Sequence, residues 1–246
     1  MPETTVQAIV LRRRDSGESD RRLTILTLEL GKIDVLAKGA RKGGSRLAGI
    51  SDPLSSATLG LAIGKKNWFV TQAQPLTSFR KLRTDYERLN FALALSELYA
   101  AVIPLDQPLP EAYELLVASL RHLEEHPRPL AALLWAEVKL LELSGFMPQF
   151  ESCVVSGAPI AVAEPFVAPS AGGFVCEASA SAFGDRFRTR AEVLYGLSRL
   201  PDLDEPPPNM KFAEQALATL FPFWRAVAET QLRANESVVR EVRHPS

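Results

Sequence analysis

The 246-residue sequence predicts an α+β fold: an N-terminal five-stranded β-barrel over residues 1–78, then an all-helical domain over 79–246 with a small non-helical insert at 148–180. Three observations predict it. Five short runs of β-branched and aliphatic residues fall within about the first 75 positions, with turn signals every 8–14 residues. Near Thr77 the apolar spacing changes from the strand period to steps of three and four. In the insert, Pro148, Gly157, Pro159, Pro165, Pro169 and the pair Gly172-Gly173 break any helical period.

The first strand is VQAIVLRRR at 6–14, aliphatic and then closed by three arginines. DSGESD is turn material, and the second strand, RRLTILTLE at 21–29, is partly apolar on both faces, as a closed or covered sheet requires. A third strand, IDVLAKG, follows LGK and pairs with the second as a hairpin. Leu54–Ile63 and Asn67–Leu76 supply the last two, joined by Gly64-Lys65-Lys66. The oligonucleotide-binding (OB) barrel is the best-known closed solution for five strands at this length, and a sandwich is the alternative. Beyond the barrel the pattern predicts a long amphipathic helix from Phe79 to Ile103, with Leu82, Tyr86, Leu89, Leu93, Ser96 and Tyr99 on its apolar side. A second helix starts at Pro110 and runs to about Glu125. A third, Leu130 to Ser144, is apolar nearly all round and is capped by Gly145. Helices are expected again at 181–199 and 209–234.

Composition narrows the function. The chain is 46% hydrophobic, enough for a real core, yet no apolar run approaches the ~20 residues of a membrane span. MPETTVQAIVL has no basic-then-apolar leader pattern, and the two cysteines, Cys153 and Cys176, make no disulfide framework. The expectation is a cytoplasmic protein without a membrane partner. The net charge of -1 averages unlike halves: residues 1–90 hold 16 lysines and arginines against 9 acids, residues 91–246 the remaining 12 against 20. Such asymmetry points to a polyanion partner for the first part.

The motifs that would carry catalysis are incomplete. GARKGGS lacks the lysine before its serine, and GLAIGKK lacks the hydroxyl after its lysine, so neither makes a nucleotide-phosphate loop. HLEEH at 122–126 matches the inverted zinc-protease pattern, but Pro127 drives His126 out of the helix, away from the face of His122. Cys153-x-x-Ser156 and Cys176-x-x-Ser179 echo a paired zinc knuckle with serines at half the ligand positions, a poor donor set for tetrahedral zinc. No metal or other cofactor is expected. The only three histidines, His122, His126 and His244, complete no nucleophilic set. The expected class is a binding protein and not an enzyme.

What remains is the basic segment GKIDVLAKGARKGGSRLAG, Gly31–Gly49, with Lys38, Arg41, Lys42 and Arg46 among glycines. Its glycines should keep it supple and let backbone amides approach phosphates. Arg12 and Arg14, with Arg13, end the first strand; Arg21 and Arg22 open the second; Lys65 and Lys66 sit in a turn. On a small barrel these strand ends converge, and the expected site is a nucleic-acid interface whose affinity accumulates contact by contact. Trp68 and Phe69 point opposite ways on their strand, so at least one belongs to the core and base stacking has little support.

Taken with the long helix after the barrel and the run ELSGFMPQFESCVVSG leading to GGFVC, the KGARK…S segment resembles the RecO family of bacterial recombination mediators. The resemblance implies an OB fold, a helical domain and a zinc-knuckle-like insert. It implies binding of single- and double-stranded DNA, annealing of complementary strands, and cooperation with RecR to load RecA against single-strand-binding protein. In that frame Lys38, Arg41, Lys42 and Arg46 match the basic DNA-contacting segment, while Ser156 and Ser179 depart from the four-cysteine pattern. The alternative function is a scaffold for RecR and for the tail of single-strand-binding protein, with Arg80, Lys81 and Arg83 available to either kind of partner.

Overall fold

The computed structural model describes residues 3–65 and 67–243; Lys66 and the tail at 244–246 lie outside them. Strands β1 (Glu3–Ser16), β2 (Asp20–Thr27), β3 (Gly31–Ala37), β4 (Ser56–Ile63) and β5 (Trp68–Pro75) form a closed barrel in the order β1-β2-β3-β5-β4. All neighbours are antiparallel except β3 and β5, which close the barrel through a short parallel contact, Val35 beside Trp68 and Leu36 beside Phe69. Inward positions are small or branched: Val6, Ala8 and Val10 meet Leu23, Ile25, Ile33, Val35, Leu59 and Leu61. This is the five-strand architecture of the OB barrel rather than a sandwich.

One irregularity governs β1. The ladder to β2 slips between Val10 and Arg12, so Leu11 is an extra residue, a β-bulge. A bulged residue loses its place in the ladder, and its polar groups need other partners. The Leu11 carbonyl accepts a hydrogen bond from the buried hydroxyl of Ser96 at 3.1 Å. Next to it, the Val10 amide donates to Ser55 (2.9 Å) and its carbonyl accepts from Leu54 (2.8 Å). Leu54 is buried at a left-handed φ of 65°, a conformation a leucine holds only when its surroundings impose it.

Helices α1 (Arg80–Thr84), α2 (Tyr86–Val102) and α3 (Pro110–Glu125) follow. The expected single helix over 79–103 is thus two: Asp85 is extended (φ -115°, ψ 115°) and its carboxylate caps α2 through the Arg88 amide. The expected apolar side holds in part. Leu82, Ser96 and Tyr99 are buried, but Tyr86 is exposed and Leu89 and Leu93 are half-buried, while Phe91, Leu95 and Leu98 are buried as well, because α2 is enclosed on more than one side and shows no single stripe. The Lys32 ammonium, buried on β3, donates to the Ala100 carbonyl in the last turn of α2 at 2.7 Å. Burial, then the Arg12 charge, lowers its pKa, with Asp34 opposing. Gly31, at φ 71°, lies so close to the Gln107 carbonyl that no β-carbon fits.

The chain divides into two compact units, 1–124 and 125–246, so α1–α3 belong spatially with the barrel. In the second unit α4 (Pro129–Leu143) is buried along most of its length and ends at Gly145, φ 75°, as the sequence predicts. The insert is larger than its expected bounds: β6 (Phe166–Ala168), β7 (Gly173–Val175) and β8 (Phe187–Arg188) form a three-stranded sheet, with the short helix α5 (Glu177–Ala180) between the last two. Helix therefore resumes at α6 (Ala191–Arg199), not at 181. The expected helix over 209–234 is replaced by α7 (Ala213–Val227) and α8 (Arg233–Arg243). α4 and α7 are joined by a buried bond from the Trp224 indole to the Glu137 carboxyl at 2.9 Å, whose other oxygen has no partner among the described residues.

Two outcomes follow. Ser96→Ala leaves the buried Leu11 carbonyl unpaired and should destabilise the protein by about 1–3 kcal/mol in chemical denaturation. Burial pushes the Glu137 pKa up from 4.5 to about 8 despite the Trp224 bond. Across that window the unfolded chain ionises while the folded one keeps its proton, so stability falls as pH rises from 4.5 to about 8. Glu137→Gln should therefore melt above the wild type at pH 8, by on the order of 3 kcal/mol, with the advantage shrinking toward pH 5.

Candidate nucleic-acid interface

The strand period sorts the arginines. Beyond the bulge, Arg12 pairs with Thr24 and Thr24 with Asp34, while Arg14 pairs with Arg22, Arg22 with Leu36, and Leu36 with Phe69. Partners in a ladder share a face, and this is the outer one, because the intervening positions, Leu23, Val35 and Trp68, turn toward the core. Arg14, Arg22, Leu36 and Phe69 thus form one row across four strands. The Lys38 ammonium sits over the Phe69 ring at 4.6 Å, and the ring leans on Gly64, where a β-carbon would stand 2.5 Å from it. Lys65, next in that hairpin, is exposed.

Two arginines directly opposite each other repel, and the row itself contains no acid to offset them. The nearby acids are engaged: Asp34 accepts from the Thr24 hydroxyl at 2.6 Å, and Asp20 accepts from the Gly39 amide at 2.7 Å. Among the described residues no ion pair involves Arg12, Arg14, Arg22, Lys38, Lys42, Arg46 or Lys65.

The opposite phase behaves differently. Arg13, Asp15 and Arg21 fall in register with Leu23 and Ala37 at the barrel's end. There Arg21 donates to the Ala48 carbonyl (3.1 Å) and the Ser51 hydroxyl (2.5 Å) and lies 3.3 Å from Asp52, which also pairs with Arg13. Asp15 lies 3.8 Å from Arg21 and 3.4 Å from Arg41. Arg21 and Arg41 are therefore drawn into ion pairs, in which they and Arg13 share two carboxylates, and Arg21 is a tether for the segment between β3 and β4.

That segment is folded into turns. Its amides form successive turns, Lys42 to Gly39, Ser45 to Lys42, Ala48 to Ser45, and the Arg41 amide donates to Ser19. Ala40, Leu47 and Ile50 plug the barrel end, leaving a void of about 10 Å³ beneath. Lys42 and Arg46 are exposed on it. Arg46 faces a separate open cleft of about 710 Å³ with Thr5, Thr58, Gln72 and Gln74, away from the Arg14–Arg22 row. Of the sequence-predicted residues, Arg12, Arg14, Arg22 and Lys38 come together, with Lys65 at their edge; Lys66 lies outside the described residues. Arg83 is half-committed to the barrel, its guanidinium 3.2 Å from the Pro53 carbonyl. Sequence reasoning missed the outward direction of Phe69 and the Lys38 stack, which follow only from the β3–β5 register.

In the insert the four knuckle positions do converge. The Cys176 amide donates to the Cys153 sulfur (3.2 Å), and the Cys176 sulfur lies 3.7 Å from the Ser156 hydroxyl and 3.4 Å from that of Ser179. Burial raises the Cys153 pKa, but the Ser156 hydroxyl and the amides of Ser156, Cys176 and Val155 outweigh it and bring the thiol down to about 6. Two thiols and two neutral hydroxyls do not fit structural zinc, and no cluster of three histidine, cysteine or acidic residues exists among the described residues. α3 ends at Glu125, so His126 leaves the helical face of His122.

Arg21→Gln should lower the melting temperature by several degrees through loss of its bonds to the plug, whereas Arg22→Gln should leave it unchanged or slightly higher. Equal effects of the two substitutions would contradict this sorting.

Comparison with known proteins gives two family models, Recombination protein O N terminal over residues 1–79 and Recombination protein O C terminal over 83–235. A DNA repair protein RecO of Roseiflexus sp. is 39% identical over 170 residues, 69% of this chain and 60% of that protein. One from Heliobacterium modesticaldum is 38% identical over 173 residues, 69% and 63% of the two chains. One from Anaeromyxobacter sp. is 33% identical over 227 residues, 88% and 89%. The matched region thus spans about three fifths of the first two relatives and most of the third.

Proposed function

Because the chain belongs to the RecO family, we propose that it is a DNA-binding mediator of repair and recombination, without catalysis of its own, whose barrel holds the phosphate backbone of single and double strands. The observation that carries this reading is the row in which Arg14 and Arg22 oppose each other with no acid among them. Two guanidiniums held side by side on a rigid sheet favour a ligand of repeating negative charge, since each phosphate relieves their repulsion and releases counterions. Arg12, Lys38 and Lys65 extend the same field, and exposed Lys42 adds to it from the plug, while Arg46 faces its own cleft.

The face reads backbone, not bases. Its one aromatic on the row, Phe69, is already covered by the Lys38 ammonium, so a base would have to displace that contact to stack. Screening phosphate repulsion between two strands lowers the barrier to annealing, while base pairing supplies the specificity. Together with RecR, such a protein would help RecA take over strands coated with single-strand-binding protein. The helical unit offers a surface for the acidic and apolar tail of that protein: exposed Tyr195 and Phe212 carry the guanidiniums of Arg199 (5.2 Å) and Arg190 (4.8 Å) over their rings.

The test is a salt titration of binding to unrelated oligonucleotides. Arg14→Glu with Arg22→Glu should weaken binding alike for every sequence and reduce the slope of log K against log salt by about 0.7 for each lost contact on single strands. An unchanged slope, with binding restored only by a partner protein, would favour the scaffold reading instead.

A further inference from the structure

The insert holds the chain's only two cysteines in one cluster, and the proposed DNA face makes no use of them. Each opens a tight turn. The Gly157 amide returns to the Cys153 carbonyl at 2.8 Å, and the Ser179 and Ala180 amides return to the Cys176 carbonyl at 3.0 Å. The two turns are held together by the bond from the Val154 amide to the Phe174 carbonyl (2.9 Å) and by a small core of Ala168, Val175 and Ala180. The pairing therefore stands on backbone bonds and apolar packing. Nothing in it requires a metal.

The Cys153 sulfur lies 3.2 Å from the Cys176 amide nitrogen. A cysteine sulfur stands three bonds from its own amide nitrogen, so the two sulfurs lie no more than about 7 Å apart, near enough for side-chain rotation to bring them together. Cys153 is buried, while Cys176 is partly open to solvent. One thiol is thus placed to meet a small oxidant and the other to meet the product.

We propose that Cys153 and Cys176 form a reversible thiol–disulfide site that responds to hydroperoxides. The Cys176 thiolate attacks the terminal peroxide oxygen; the O–O bond breaks, an S–O bond forms, and the departing oxygen leaves as water or an alcohol after taking a proton. The Cys153 thiolate then attacks the sulfenic sulfur. The S–S bond forms, the S–O bond breaks, and hydroxide leaves and is protonated to water. Two thiols lose two electrons and two protons, and the peroxide is reduced by the same two electrons. Two sulfurs whose remaining neighbours are hydroxyls and amides make a poor zinc set, and that leaves their lone pairs for this chemistry. In the oxidised form the bond ties residue 153 to residue 176 across the whole β6–β7 hairpin and restricts the unfolded chain.

The test uses the full chain, reduced and then exposed to hydrogen peroxide, quenched, alkylated with N-ethylmaleimide in denaturant and weighed intact. The expected product is monomeric, lighter than the reduced chain by two hydrogens and without maleimide, and dithiothreitol returns it to a doubly alkylated form. Its melting temperature should exceed that of the reduced protein by several degrees. Cys176→Ala should keep one alkylatable thiol under the same dose, and Cys153→Ala should gain oxygen at Cys176 instead of losing hydrogen. The proposal is overturned if the wild type keeps both thiols at a dose that oxidises glutathione in the same tube. It is equally overturned if it gains oxygen without a cross-link, or if zinc copurifies in stoichiometric amount and protects both sulfurs.

Discussion

The single extra residue at Leu11 sets the phase of every charged side chain that follows it on β1. Upstream, Val6, Ala8 and Val10 point into the barrel. An unbroken two-residue period would send Arg12 and Arg14 inward behind them, where a guanidinium has no place among apolar side chains. The bulge inverts that phase, so Arg12 and Arg14 reach the outer face and Arg13 takes the inner one at the rim. The cost is a backbone carbonyl outside the ladder, and α2 meets it with the Ser96 hydroxyl. The helix that covers the barrel and the row of charge on its surface are thus coupled through one hydrogen bond.

The same sorting explains why a cluster of basic residues does two kinds of work. On the inner phase Arg13 and Arg21, joined by Arg41 from the loop, meet Asp15 and Asp52 beside the plug between β3 and β4. On the outer phase Arg14 and Arg22 face each other without an acid in their row. Arginine serves both roles because its planar fork can satisfy several acceptors at once, as Arg21 does with Ala48 and Ser51, or present its donors outward to a ligand.

The second unit follows other priorities. α4 is buried along most of its length, and its one buried acid, Glu137, is tolerated as a neutral group bonded to Trp224. In the insert, hydroxyls and amides gather around two sulfurs, and the local sheet keeps the turns together.

The sequence by itself determined the five strands, the change of period near Thr77, helix α3, the cap at Gly145 and the concentration of positive charge before residue 90. These are local properties: side-chain branching, proline and glycine conformations, and counting charge need no partner strand. It misread the helix broken at Asp85, part of the apolar side of α2 and the extent of the insert, since each depends on what packs against the segment. Only the tertiary structure decided which arginines are bound to carboxylates and which stand free of ion pairs on the surface, because facing direction in a strand is set by register. That register was shifted by a bulge whose stabilising hydroxyl lies eighty-five residues away along the chain.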